Sequence, residues 1–320
     1  MKKLFLVAFS IFIMSCDESS QHRISGAIFG TTYSIIYDGN IDLSQEFDRL
    51  FEEINTSMST YKPNSIISTV NKSDSALVDD HFKNVFLSSK SIFEDTNGAF
   101  DPTIGSVVNA WDFGPKGTIE QLDSLKINSL MTHVGLEKVQ LKGTKIVKPK
   151  HTQLDFNAIA KGYGVDVVAK FLESNKIKHY LIEIGGEIRC KGINTQKRAP
   201  WVVGVQNPDL DSDLKFVDTV TLNNESMATS GTYRKFKIDE NGRRYTHIID
   251  TKTGYPSRTN ILSVSVIAKD CMTADAYATA LQTMPLNILT NFLKKRPFLR
   301  VFIVYDTGDN DLIYKSFNDF

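Results

Sequence analysis

The sequence predicts an α+β protein, in which hairpins and helices are grouped and do not alternate regularly. Two observations predict it. Short apolar-alternating runs follow one another across turns, as in Lys138 to Leu141 and Lys145 to Val147 flanking Lys142-Gly143-Thr144. Helical periodicity is confined to a few segments, so the strand-helix rhythm of a doubly wound nucleotide-binding fold is missing. A length of 320 residues, 41% hydrophobic and 23% charged, allows a substantial core in one large domain or two intimate lobes. No internal repeat, low-complexity tract or long linker interrupts it.

Ala27 to Tyr37 reads as one strand. Asp42-Leu43-Ser44-Gln45 looks like a capping-box start to a helix carrying Leu43, Phe47, Leu50, Phe51 and Ile54 on one face. A second helix, about His81 to Thr96, turns Phe82, Val85, Phe86, Ile92 and Phe93 to a core and stops at Asn97-Gly98. Thr118 to Met131 is a third. The next begins near Asp155, with Ile159, Val165, Val168 and Leu172 on its apolar face, and feeds the strand His179 to Ile184, a Gly185-Gly186 break and the strand Glu187 to Lys191. Short strands follow at Trp201 to Gln206, Phe216 to Leu222, Lys235 to Ile238, Tyr245 to Ile249 and Leu262 to Ala268. A helix from Thr273 to Met284 ends at Pro285, a short helix follows, and Leu299 to Tyr305 pairs with Leu312 to Tyr314.

Lysine plus arginine (37) balances aspartate plus glutamate (37), so no global field favours nucleic acid. Met1-Lys2-Lys3 followed by a mostly apolar run from Leu4 to Met14 has the form of a secretory signal, short of the roughly 20 residues of a spanning helix. Ile13-Met14-Ser15-Cys16 resembles a bacterial lipobox. The expectation is a signal peptide over residues 1–15, a lipidated Cys16 with a polar tether to residue 25, and a folded part over 26–320. The protein would then be anchored by lipid to a bacterial membrane outside the cytoplasm, facing the periplasm; a plain secreted protein is the alternative. Cys190 and Cys271 show no zinc-ligand spacing, and both a disulfide and two separate buried thiols stay open.

The stretch from Leu154 to Asp166 places a carboxylate, the Lys161 ammonium and glycines around a helix start, which suits a phosphorylated ligand. An ordinary amphipathic helix with Asp155 near its cap is the plainer reading. Asp275 and Thr279 stand four apart on a helix, so a carboxylate and a hydroxyl share a face and can ligate a hard cation, or can form a helix-internal hydrogen bond. His247 is the candidate proton acceptor near neutral pH, with Asp250 able to share the proton. Ser230 and Gly231 suit a tight turn that bonds phosphate, or a turn alone. Phe100 suits core packing and Asp101-Pro102 a turn.

Six further segments complete a pattern: Phe29-Gly30-Thr31-Thr32-Tyr33-Ser34-Ile35, Met58-Ser59-Thr60-Tyr61, Gly98-Ala99-Phe100-Asp101-Pro102-Thr103, Ser226-Met227-Ala228-Thr229-Ser230-Gly231, Tyr245-Thr246-His247-Ile248-Ile249-Asp250, and Ala274-Asp275-Ala276-Tyr277-Ala278-Thr279-Ala280. With the Lys161 stretch they resemble the ApbE family, flavin transferases that use FAD to attach FMN covalently to a hydroxyl of a partner protein. The resemblance runs from about residue 26 to the C-terminus. It implies an ApbE-like, T-fold-related arrangement of mixed sheets with packed helices in a single compact catalytic unit. It further implies Mg²⁺ held by Asp275, Thr279 and the main-chain carbonyl of Ala158. Asp155, Lys161, Ala99, Phe100, Asp101 and Tyr61 fall on flavin-nucleotide positions, as do Ser230, Gly231, His247 and Ile249. Phe29 stands where the family most often has methionine. The implied reaction moves FMN from FAD to a Thr or Ser hydroxyl and releases AMP, with His247 as base and Lys161 stabilising charge. Acceptors would be flavin-carrying subunits of membrane redox complexes or related electron-transfer proteins. FAD hydrolysis to FMN and AMP, and FAD binding without catalysis, are the competing readings.

Overall fold

A tight hairpin opens the fold: β1 (Gln21–Ile28) pairs with β2 (Thr31–Asp38) around Phe29-Gly30. Both turn residues have positive φ, 52° and 74°, the backbone that a two-residue hairpin loop demands. The single strand expected over Ala27 to Tyr37 is therefore two strands, because Phe29 takes a conformation that its bulk does not advertise. The computed structural model describes residues 20–117, 122–209, 211–233, 236–238, 244–308 and 312–320. The expected signal peptide, Cys16 and the first residues of the Thr118 helix lie outside the described residues.

α1 (Ser44–Met58) buries Phe47, Leu50, Phe51, Ile54 and Met58. No capping box starts it; Asp42 Oδ1 accepts from the Ser44 N–H at 2.9 Å. α2 (Ile66–Lys72), capped by Ser65, and β3 (Ser75–Leu77) were not foreseen. α3 (Asp80–Asp95) is capped by Asp79 and closes at Asn97 and Gly98, whose N–H returns to Phe93 O at 2.8 Å. The short α4 (Gly105–Ala110), α5 (Ser124–Met131), β4 (Gln140–Lys142) and β5 (Lys145–Val147) follow.

α6 (Ala160–Ser174) leads into β6 (Tyr180–Ile184), β7 (Glu187–Lys191), β8 (Ile193–Asn194), β9 (Ala199–Gln206), β10 (Phe216–Leu222) and β11 (Ser226–Gly231). Then come β12 (Phe236–Ile238), β13 (Arg244–Thr246), β14 (Ile261–Ala268), α7 (Cys271–Thr283), α8 (Leu286–Leu293), β15 (Arg300–Asp306) and β16 (Leu312–Phe317). α6 starts five residues after Asp155, so Asp155 is not its cap. Ser230 and Gly231 end strand β11 and do not form the expected turn.

The largest sheet runs β1-β2-β6-β7-β11-β14-β15-β16, with every neighbour antiparallel. α6 packs on β6 and β7 and α7 on β11 and β14, and the two helices touch each other. The sheet's other face meets the β10-β9-β8 sheet through Ile36, Cys190, Trp201, Val203, Leu222, Met227 and Ile267. A larger core joins α1, α3, α6 and α7 through Ile54, Phe82, Phe86, Phe156, Tyr163 and Tyr277. Antiparallel sheets with helices segregated to a face make the α+β class predicted from sequence.

Candidate active site

Helices and sheet enclose a cleft of about 770 Å³, lined by the described residues that the sequence singles out for a site, Asp250 excepted. Its floor is the crossing of α6 and α7. At Gly162 a Cβ would stand 2.4 Å from the Cys271 carbonyl oxygen and 2.8 Å from Asp275 Cβ, so only glycine permits this approach. The closeness lets the Gly162 N–H donate to Asp275 Oδ2 at 3.0 Å, satisfying a first-turn donor of α6 with a carboxylate of α7.

Lys161 places its Nζ 2.6 Å from Glu187 Oε1 on β7 and keeps 30% of its side-chain exposure. Burial works against this ammonium, but the Asp275 and Glu187 carboxylates outweigh burial and hold its pKa above the ordinary lysine value. Glu187 is a cleft residue that sequence reasoning missed. It is buried, and burial, opposed by Lys161 and reinforced by Asp275, pushes its pKa up to about 7. Its Oε2 has no hydrogen-bond partner among the described residues. The available signal was a carboxylate straight after Gly185-Gly186, and nothing local says that it meets Lys161.

One turn beyond Asp275, Thr279 Oγ1 lies 3.1 Å from Ser230 Oγ. Ala158 sits half-buried just ahead of α6 and also lines the cleft. Asp275, Thr279 and the Ala158 carbonyl offer only oxygen donors. Among the described residues no three His, Cys, Asp or Glu side chains gather as a ligand set. A cation here would take one carboxylate from α7 and leave positions for water and phosphate oxygens, which fits Mg²⁺ and not a closed zinc site.

Phe29, at the tip of the first hairpin, meets Phe51 edge-on at 5.8 Å and lies over Gly164 of α6, where a Cβ would come 3.0 Å from its ring. Tyr61 is 61% exposed. Burial and then the Asp155 charge raise its pKa, and both residues line the cleft. Asp155 accepts from the Asn157 N–H at 2.7 Å and donates its own N–H to Pro102 O at 2.7 Å, tying it to the Ala99–Asp101 segment. Asp101 Oδ1 accepts from the Thr103 N–H and hydroxyl at 2.9 and 2.6 Å, and Phe100 is buried in the main core. These two therefore serve the turn and the core as well as the cleft wall.

His247 follows β13 and meets Phe113 edge-on at 6.2 Å. Ile249 packs with Val107 and Val134. Thr251 donates to Gly98 O at 2.5 Å and Lys252 to Asn97 O, which staples the His247 segment to the Ala99 segment. Asp250, weighed as a partner in proton transfer, uses Oδ1 to accept from the N–H groups of Lys252 and Thr253, and it is not part of the cleft lining. Cys190 and Cys271 are buried and unpaired, which settles the two-thiol alternative.

Known proteins are similar to this chain in sequence and fold. An FAD:protein FMN transferase of Vibrio cholerae serotype O1 is 36% identical over 293 residues, 88% of this chain and 87% of the relative. The FAD:protein FMN transferase of Haemophilus influenzae is 34% identical over 342 residues, 100% of this chain and 98% of the relative. The solved structure of flavin transferase ApbE from Vibrio cholerae matches with a TM-score of 0.84 at 34% identity, covering 93% of this chain and 97% of that one. The apo form of Pseudomonas stutzeri flavinyl transferase ApbE matches with a TM-score of 0.84 at 26% identity, covering 95% and 96%. The sequence profile described as the ApbE family spans residues 29–303, from the first hairpin into β15, and with these relatives it establishes that the chain belongs to the ApbE family.

Proposed function

We propose that the chain is an FAD:protein FMN transferase: an acceptor Thr or Ser hydroxyl attacks the FMN-side phosphorus of FAD, the bond to the bridging oxygen breaks, and AMP leaves. The observation that carries this reading is the Lys161 ammonium, paired with Glu187 at the start of α6 inside the cleft that Asp275 also lines. Family membership supplies the substrate class, through relatives named for this reaction.

In this reading Lys161 meets the pyrophosphate, and its charge offsets the negative charge that grows as the bridging bond lengthens. His247 takes the proton of the acceptor hydroxyl, and Phe113 at its edge helps fix the ring. Tyr61 and Phe29 offer aromatic surface to the flavin ring. Asp275, Thr279 and the Ala158 carbonyl would hold Mg²⁺, which supplies further positive charge to the phosphates. Acceptors are flavin-carrying subunits of membrane redox complexes or related electron-transfer proteins, and Cys16 carries a lipid that holds the enzyme on the membrane outside the cytoplasm.

Intact-mass spectrometry of a threonine-bearing acceptor domain, incubated with lipid-free protein and FAD with or without Mg²⁺, tests the transfer. A metal-dependent gain of one FMN phosphoester is expected; AMP release with an unmodified acceptor would replace transfer by hydrolysis. Replacing Cys16→Ala should free the protein from membranes, and retention there would remove the anchor from the proposal.

A further inference from the structure

A second set of buried charges stands beside the cleft and belongs to none of the roles above. Asp166, one turn after Gly162 on α6, is 3% exposed. Its Oδ1 accepts from the Cys271 N–H at 3.0 Å and from Arg189 Nη1 at 2.6 Å, and its Oδ2 accepts from the Met272 N–H at 2.8 Å. Cys271 and Met272 open α7, so their N–H groups have no partner within the helix. The local cap, Asp270, takes only the Thr273 N–H, at 2.9 Å. The first turn of α7 is thus finished by a carboxylate from another helix.

The bonds form a reciprocal pair. Gly162 of α6 donates its N–H to the Asp275 carboxylate of α7, and Asp166, four residues on, accepts from N–H groups at the start of α7, four residues before Asp275. β7 joins through alternate residues: Glu187 takes Lys161 and Arg189 takes Asp166, one ion pair in each sense. A slip of α7 along α6 would break both helix contacts at once.

We propose that Asp166 is a positioning residue: it fixes the register of α7 on α6 and so sets where the Asp275 carboxylate stands relative to Lys161 and Thr279. Asp166 is not part of the cleft lining; it acts through α7. The consequence for metal use rests on the proposed function, but the consequence for the helix contact does not. Asp166→Asn keeps the shape, removes the charge and leaves one strong acceptor where two served. Cys271→Pro keeps the charge and deletes one donor; proline suits the first helical position, and Asp270 before it is already extended at φ −130° and ψ 156°.

Two readouts decide the matter on folded protein. Amide hydrogen exchange without metal should rise at Gly162 by about 10-fold or more in Asp166→Asn and by a smaller factor in Cys271→Pro, with β14 and β15 unchanged. Mn²⁺ titration in the presence of FAD, followed by electron paramagnetic resonance, should show the half-saturating concentration raised by about 10-fold, within the range of losses for residues that orient metal ligands. Unchanged Gly162 protection in either folded variant overturns the proposal, as does wild-type Mn²⁺ affinity in a variant whose Gly162 has loosened. A wild-type protein that binds no Mn²⁺ speaks against the metal-dependent function, and Gly162 exchange still judges Asp166.

Discussion

His247 shows how a single side chain depends on its setting. It is placed by the aromatic edge of Phe113 and by a segment stapled to Gly98 and Asn97. If it takes the acceptor proton, His247→Asn should lower FMN transfer by about 10²–10⁴-fold, the usual contribution of a positioned base. FAD affinity, followed by flavin fluorescence, should stay within about threefold, since Lys161 and the aromatic wall remain. A parallel loss of affinity and rate would make His247 a binding residue. Glu187 illustrates the opposite case, because its partner Lys161 lies in a separate segment of the chain and only the fold reveals the pair.

At the scale of elements the decisive contact is glycine against carbonyl. Gly162→Ala puts a methyl group 2.4 Å from the Cys271 oxygen, which is backbone and cannot rotate away, so α6 and α7 must separate. The expected penalty is about 1–3 kcal/mol by urea denaturation, with loss of FMN transfer as Asp275 moves off Gly162. Gly164→Ala meets the edge of the Phe29 ring at 3.0 Å, which can shift, so its effect should fall on FAD affinity more than on stability. Elements with a strong local signature were legible: α3 with its cap and glycine stop, α7 ending before Pro285, and the hairpin across Gly143. β11 was not, because Ser-Met-Ala-Thr-Ser-Gly has small residues in place of the usual branched ones where α7 packs on it. The β1–β2 turn was hidden for a similar reason, since Phe29 adopts a left-handed backbone against its own preference. The cleft residues could be gathered in advance only by likeness to a family; the contacts among them are long-range and leave no local periodicity.

Across the whole molecule, a charged knot on the far side of α7 ties the helices together. Arg296, after α8, donates to both Asp95 oxygens at 2.6 and 2.8 Å, Tyr277 of α7 adds a bond at 2.7 Å, and the Phe292 ring lies 3.6 Å from the guanidinium. Asp95 ends α3, so one carboxylate joins α3, α7 and the turn after α8. The Arg296 hydrogen bonds, opposed by partial burial, hold its pKa below the ordinary aspartate value. A carboxylate depressed in this way stabilises fully above its unfolded pKa, about 3.9, and the contribution is lost as pH falls through the folded value. Asp101 runs the other way, because burial raises its pKa and protonation in the folded state relieves it. The wild-type acid curve is therefore a sum of opposite signs, and the Asp95 part emerges only by difference. Asp95→Asn should be less stable than wild type at about pH 7, by about 1.5 kcal/mol given that Asp95 is one-third exposed. The gap should close in acid, once the pH has fallen below the depressed folded pKa and the native carboxylate itself protonates. Urea midpoints of both proteins at the two pH values measure it; a gap that persists in acid would assign the stabilisation to neutral hydrogen bonding and ring packing in place of the ion pair.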